Sequence, residues 1–355
     1  LRVKGGYEMP DYTTIEMIQA IDQTPPVRSF LQKTFFPGDE THVTEKVEFD
    51  VRKGKRIMAP FVSPRKGGKV ITRQGFQTNQ FTTPKIAPER VLTVDDITKR
   101  TLGENVYSQR TPAEREDELL AKDFTDLEES IDRRKEWMCR QVLYEGKLDV
   151  VDEDEGVDVQ VDFGFTNIYV LGADEVWSLA TVDPLKTLRP IRKKIIKDTG
   201  RAPDMMLFAS DAIEDFMDNP FVIKAMDVLN MKNVVIEPRV VDPALTFCGR
   251  IAELDMDIYT YDEWFLNDDG EEEALIPPGT VLMGHSTGEG QIEYGLVTQM
   301  EDKKFQSYEG RLVPKVWADE KDEVKKVRLT SRPLPRPFDV ESWAVIYVNK
   351  NAAGN

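Results

Sequence analysis

Val51-Arg-Lys-Gly-Lys-Arg-Ile-Met-Ala-Pro-Phe-Val-Ser-Pro-Arg-Lys-Gly-Gly-Lys-Val-Ile-Thr-Arg-Gln-Gly-Phe76 opens a stretch that runs to Pro88 without one Asp or Glu. It carries Arg52, Lys53, Lys55, Arg56, Arg65, Lys66, Lys69, Arg73 and Lys85, in a chain whose formal net charge is -17. Short β-branched and aromatic runs flank the turn residues Pro64-Arg-Lys-Gly-Gly68, the pattern of a long hairpin. A basic finger on an acidic body is shaped to grip something acidic, and the nearest acidic object is another copy of the chain. Exposed ion pairs contribute only about 0–1 kcal/mol each. These charges would therefore select partner and orientation, while apolar contacts supply most of the association energy.

The remaining composition narrows the class. The 355 residues can bury a sizeable core in two domains or one elaborated one. A hydrophobic content of 40% with 9% aromatics is that of a globular chain. No apolar run reaches the length of a membrane span, and no signal peptide opens the sequence. Cys139 and Cys248 stand far apart and read as buried thiols rather than a disulfide framework. His42 and His285 are the only histidines, which nearly excludes a His-based catalytic or metal cluster. The balance reads as a soluble, cytosolic protein.

Around the hairpin the elements fall in a definite order. Thr13 to Phe36 holds a short amphipathic helix, the Pro25-Pro26 pair and an apolar patch ending Phe35-Phe36-Pro37-Gly38, together an extended arm. Val47, Phe49 and Val51 alternate with polar residues as a half-exposed strand does. Thr111-Pro-Ala-Glu114 predicts a helix start, with Thr as N-cap, Pro at the first helical position and Glu at the third. No Gly or Pro interrupts the chain from there to Glu145, and Gly146 ends it. Leu120, Phe124, Leu127, Ile131, Met138 and Val142 form one apolar stripe, with the other faces charged. About 35 residues at roughly 1.5 Å each make a rod on the order of 50 Å long, a scaffold strut rather than an ordinary core helix.

Beyond it, Lys147–Val151 and Val157–Phe163 pair across an acidic turn. A helix from Asp183-Pro184 through Ile196, a strand Met205–Ala209, and a helix Asp211–Leu229 follow. Strands then run through Val234–Ile236 and Ile251–Tyr261, a hairpin turns at Asp268-Asp269-Gly270, and Thr280–Met283 closes an inserted region. Gln291 to Val348 is again strand-like and is expected to return to the sheet beside the long helix.

Motifs that carry chemistry fail on inspection. Gly284-His-Ser-Thr-Gly288 matches the nucleophile elbow of serine hydrolases, centred on Ser286. That elbow needs a helix after it and a His later in the chain, and no His follows His285. A glycine-rich strand exit is the better reading. Asp152-Glu-Asp-Glu-Gly156 puts its Gly fifth, where a calcium loop needs it sixth, and Asn267–Glu273 fails similarly. No phosphate-binding or dinucleotide-binding glycine motif is present. No catalytic, cofactor-binding or metal-binding residue is therefore assigned. The finger could hold phosphates, with Phe61, Phe76 and Phe81 stacked on bases, but a net charge of -17 repels nucleic acid at long range.

Specific sequence blocks along the chain point to a family. Tyr12-Thr13-Thr14, Thr44-Glu45-Lys46-Val47, Phe61-Val62-Ser63-Pro64 and Gly68-Lys-Val-Ile71 come first. Asp183-Pro184, Leu275-Ile-Pro-Pro-Gly-Thr-Val-Leu-Met-Gly284, Pro314-Lys315-Val316-Trp317 and Ser331-Arg-Pro-Leu334 follow in order. In this order the chain resembles the major capsid proteins of lambda-type tailed bacteriophages, which have the Hong Kong 97-type capsid fold, over nearly everything after Met9.

The resemblance implies an α+β subunit without enzymatic activity. It would form hexamers and pentamers and close into an icosahedral head around double-stranded DNA. Residues 1–50 become the N-terminal arm and 51–90 the extended loop that lies over an adjacent subunit. Its inter-subunit contacts would be Arg52, Lys53, Lys55, Arg56, Arg65, Lys66, Lys69 and Arg73. Residues 91–181 form the first part of a peripheral domain, with the spine helix at 111–145. Residues 182–290 become an inserted axial domain and 291–355 the second part of the peripheral domain. Implied partners are the chain itself, a separate scaffolding protein, a portal protein, a decoration protein and packaged DNA bound without sequence preference. No membrane, metal or cofactor is implied. The subunit would reside in the virion capsid after assembly in the host cytoplasm. Lys66 and Lys69 are candidates for a crosslink, although the lambda-type likeness favours decoration. A nanocompartment shell of the encapsulin kind, with enzyme cargo in place of DNA, is the alternative of the same fold.

The first eight residues invite a separate expectation. Lys4-Gly5-Gly6 can be encoded as a bacterial ribosome-binding sequence, with Tyr7-Glu8 as spacer before Met9. Residues 1–8 then read either as translated leader or as an ordinary terminus. Intact mass of the protein from its native source decides: a chain starting at Met9 is the outcome for a leader, and a chain starting at Leu1 overturns it.

Overall fold

The computed structural model describes residues 29–51, 77–99, 111–152, 156–227, 234–242, 244–267, 270–288, 290–301, 303–319 and 321–348. Its axis is the helix Pro112–Glu145. Both ends are where local chemistry puts them. The Thr111 hydroxyl accepts the Glu114 N–H and the Glu114 carboxylate accepts the Thr111 N–H at 2.7 Å, so two otherwise orphaned donors are satisfied. Gly146 ends the helix with φ 71°, and a Cβ there would lie 2.2 Å from that of Phe165.

The two halves of this helix have different surroundings. The N-terminal half packs one stripe, with Leu127 and Ile131 buried against Val327 and Leu329 and flanked by Leu120 and Phe124. Their partner is a three-stranded antiparallel sheet in the order 313–319, 324–330, 89–93. From Ile131 onward burial is no longer confined to the apolar stripe. Asp132, Lys135, Glu136 and Gln141 are buried along with Met138, Cys139, Val142, Leu143 and Tyr144. The expectation of charged faces along the whole helix therefore fails in the second half. There the helix Phe30–Phe35 and the larger core cover what would otherwise be solvated.

The larger core sits in a mixed seven-stranded sheet in the order 168–170, 344–347, 280–284, 205–208, 256–261, 245–251, 234–242. The helix Pro184–Thr199 begins at Asp183, whose side chain accepts the Leu185 N–H, and packs Leu185, Leu188, Ile191 and Ile195 inward. The central strands Met205–Phe208 and Thr280–Gly284 are buried at every position, which is why they read as continuous apolar runs without alternation. Of the stretch 291–348, expected to return beside the long helix, the strands 313–319 and 324–330 belong to the sheet against it, while Ala344-Val-Ile346, buried throughout, runs between 168–170 and 280–284. The seven-stranded sheet thus draws strands from both sides of the divisions drawn at 181/182 and 290/291. A smaller sheet pairs 38–41 parallel to 291–294, which runs antiparallel to 333–336.

Two further elements differ from the sequence expectation. The helix expected over 211–229 is two helices, Ser210–Met217 and Pro220–Asp227. Pro220 lacks an N–H and clashes with a preceding turn, so it starts a helix instead of continuing one. Asn219 fills the break: its buried amide donates to the carbonyls of Trp177 at 2.8 Å and Val182 at 3.0 Å, and its oxygen accepts the Phe221 N–H. Of the two cysteines, both free, Cys139 is buried as expected while Cys248 is only partly covered. Substituting Asn219→Ala leaves these carbonyls without their donor. We expect a loss of about 1–3 kcal/mol in chemical denaturation, with the far-ultraviolet spectrum unchanged.

Candidate functional site

The eight cations assigned to inter-subunit contact, Arg52, Lys53, Lys55, Arg56, Arg65, Lys66, Lys69 and Arg73, lie outside the described residues. The strands that lead into and out of that segment are described. Lys46–Val51 pairs antiparallel with Gln77–Thr82 in unbroken register from Lys46↔Thr82 to Val51↔Gln77. Of the aromatics considered for base stacking, Phe61 and Phe76 also lie outside the described residues. Phe81 turns inward, its ring 5.7 Å from that of Phe163 and packed against the core.

The most elaborate site among the described residues is the seat of the Phe30–Phe35 helix. Ser29 makes no side-chain cap to this helix. Glu136 of the long helix takes its place from 105 residues away: Oε1 accepts the Leu31 N–H at 2.7 Å, and Oε2 accepts the Gln32 N–H at 3.0 Å. Leu31, Phe35 and Phe36 are buried, and the Phe30 ring meets Tyr261 with centroids 5.3 Å apart. The expected extended arm is therefore, at its described end, a docked helical turn. Glu136 lies off the apolar stripe, so helical spacing does not mark it. The available signal was the apolar density of Trp137-Met-Cys139 and Val142-Leu-Tyr144, too wide for one face.

The glycine motif that imitates a nucleophile elbow forms the other wall of this seat. Gly288 N–H donates to the Thr34 carbonyl at 2.7 Å and Gly290 N–H to that of Phe35 at 3.0 Å. A Cβ on Gly288 would lie 2.3 Å from the Phe35 Cα, and one on Gly290 2.5 Å from Phe36 Cδ1. The glycines are required for close approach of two backbones. Ser286, two residues before Gly288, is bound at both polar atoms to Asp204, N–H to Oδ1 and hydroxyl to Oδ2, each at 2.7 Å. The loop then enters the strand Gln291–Tyr294, where an elbow needs a helix.

A second polar cluster ties the arm end to the C-terminal strands. His42 Nε2 lies 2.6 Å from the buried Glu293 carboxylate, which also accepts from Gln291 at 2.7 Å and from Arg336. Burial opposes ionisation of Glu293. The hydrogen bonds from His42 and Gln291 and the charge of Arg336 prevail and hold it below the usual carboxylate range. Glu40, His42 and Glu293 converge closely enough to surround a cation. The Arg336 guanidinium already supplies that positive charge, so the cluster acts as a polar clamp.

Two hairpins present apolar side chains to solvent. Trp264 and Leu266 share a face of the ribbon 264–266/272–274 and are 55% and 68% exposed. Met300 and Phe305 are direct cross-strand partners in the ribbon 297–301/304–308, and Phe305 is 77% exposed. Paired apolar residues at the exposed tips of ribbons are surface available to other chains.

A family model described as phage major capsid protein E matches residues 13–346. The major capsid protein of Escherichia phage lambda is 23% identical over 344 residues, covering 95% of this chain and 99% of its own. That of Enterobacteria phage P21 is 22% identical over 344 residues with the same coverage. Among solved structures, a prophage capsid protein of Escherichia coli CFT073 superposes with a TM-score of 0.70 at 16% identity, over 95% of this chain and 99% of the other.

The seat predicts unequal outcomes for neighbouring substitutions. Gly288→Ala should unseat the Phe30–Phe35 helix at a cost of about 1–3 kcal/mol and speed protease cleavage near residue 36. Ser286→Ala, which loses one hydrogen bond to Asp204, should cost about 1 kcal/mol or less and leave that cleavage rate unchanged.

Proposed function

As a member of the phage major capsid protein E family, the chain is the major capsid protein of a phage or prophage, and we propose that its copies assemble as hexamers and pentamers into an icosahedral shell around double-stranded DNA. The observation that carries this reading is the family match across residues 13–346, joined to a fold whose neighbours are phage capsid subunits. The fold is α+β of the Hong Kong 97 capsid type. The family is one of structural proteins, self-associating in the virion, and the Ser286 loop has a structural occupation in seating the arm.

In this reading the chain divides by task. The arm is 1–50 and the extended loop is 51–90. The peripheral domain is 91–181 with 291–355, and the axial domain is 182–290. The loop lies over a neighbouring copy, where Arg52, Lys53, Lys55, Arg56, Arg65, Lys66, Lys69 and Arg73 meet an acidic surface. The charge on the rest of the subunit supports this, since the whole chain remains at -17 despite the basic segment. The same acidic body would keep densely packed DNA from adhering to the shell. The exposed tips at Trp264 and Phe305 supply apolar contact area between copies. A separate scaffolding protein, a portal and a decoration protein complete the assembly, which takes place in the host cytoplasm. An encapsulin-like compartment is disfavoured because the matching family and the relatives in sequence are phage head proteins.

Electron microscopy of the chain expressed with its neighbouring genes tests the reading. Closed shells of uniform diameter are expected, and a persistent monomer would overturn it. The triple substitution Arg65→Glu, Lys66→Glu, Lys69→Glu should leave the subunit folded but prevent closure. Normal shells from that variant would remove the assigned role of these three charges.

A further inference from the structure

The Phe30–Phe35 helix is six residues long, far too short to persist alone. Besides the burial of Leu31, Phe35 and Phe36, two sets of hydrogen bonds among the described residues hold it, and they differ in kind. The glycine wall at Gly288 and Gly290 offers backbone contacts that do not change with pH. The other attachment is the Glu136 carboxyl, which is buried in the core and accepts the Leu31 and Gln32 N–H groups.

Among the described residues, no cation is paired with Glu136. Tyr261 directs its hydroxyl at the carboxyl, and Glu263 just beyond that strand adds a like charge. On its own helix, Lys135 is ion-paired with Asp132, and Cys139 is a buried thiol. Asp39, from the strand 38–41, acts on both Lys135 and Cys139. Ionised Glu136 is thus served by hydrogen bonds but opposed by burial and by Glu263.

We propose that Glu136 is a proton-gated latch on the N-terminal arm: with a proton on the carboxyl the Phe30–Phe35 helix stays seated on the long helix, and loss of that proton loosens it. Burial dominates and raises the carboxyl to about 7, against the N–H groups of Gln32 and Leu31 and the Tyr261 hydroxyl. Once the helix lifts, water reaches the carboxyl and its affinity for protons falls towards that of an ordinary glutamate. The seated state therefore binds the proton more tightly than the open one. Seating is strongest below the ordinary glutamate range and is lost progressively as pH rises through about 7. The protonated carboxyl can donate to the Tyr261 oxygen, which also accepts from the Phe30 backbone N–H. The consequence for assembly rests on the shell reading, in which a released arm can reach other copies; the latch itself does not depend on it.

Hydrogen exchange of the full chain as free subunit, read by mass spectrometry on peptides covering residues 29–36, tests the latch. After correction for intrinsic exchange, protection should fall about tenfold between pH 6 and pH 8.5. Glu136→Gln, a neutral isostere, should keep the segment protected with that dependence abolished. Glu136→Ala should leave it open at both values. Protection in the unsubstituted chain that is flat with pH, or that rises with it, overturns the proposal without needing any variant. So does a Glu136→Gln variant that retains the same dependence. Failure to form shells would count against the assembly reading alone and leave this measurement untouched.

Discussion

The burial of the second half of the helix Pro112–Glu145 is the constraint on which the rest of the subunit depends. A helix this long cannot be covered by one core, and the molecule resolves this by building two. The first half needs only a stripe, because a three-stranded sheet lies along one side and the solvent takes the other. The second half passes through the main core, so even its charged residues must find partners inside the protein. Asp132 pairs with Lys135, and Glu136 takes two backbone donors. A buried ionisable or polar group left without partners is costly, so each such residue marks an element that has to be present.

That requirement explains why the arm end and the glycine loop belong to one piece of architecture. The Phe30–Phe35 helix supplies donors to Glu136 at its start and acceptors to Gly288 and Gly290 at its end. Its aromatic residues fill the space between the long helix and the seven-stranded sheet. A hydrolase-like motif arises here from packing, since both glycines face the arm backbone and Ser286 is engaged by Asp204.

Charge is distributed on the same principle. Inside the subunit, ions appear in satisfied clusters such as His42, Glu293 and Arg336, where hydrogen bonds hold the carboxylate ionised against its burial. Outside, the acidic excess is left on the surface, and the uninterrupted cationic run sits in one segment between two paired strands. Exposed ion pairs are individually weak. Their value between two proteins is orientation more than affinity.

The sequence by itself determined what depends on near neighbours along the chain. Thr111-Pro-Ala-Glu114 and Gly146 bound the long helix, Asp183-Pro184 starts the next, and Lys147–Asp152 pairs with Gly156–Asp162. Caps and turns are closed within a few residues, so their chemistry is written locally. The resemblance to phage capsid subunits was legible in the same way, from ordered blocks that span the chain. The tertiary structure alone decided that Glu136 is a buried cap, that Gly288 and Gly290 are a seat, and that Ala344–Tyr347 joins the seven-stranded sheet. Each of these rests on contacts between residues distant in sequence, such as the 105 positions separating Leu31 from Glu136. At such separations the pattern around a residue shows that it is polar or small, but only the fold shows what stands against it.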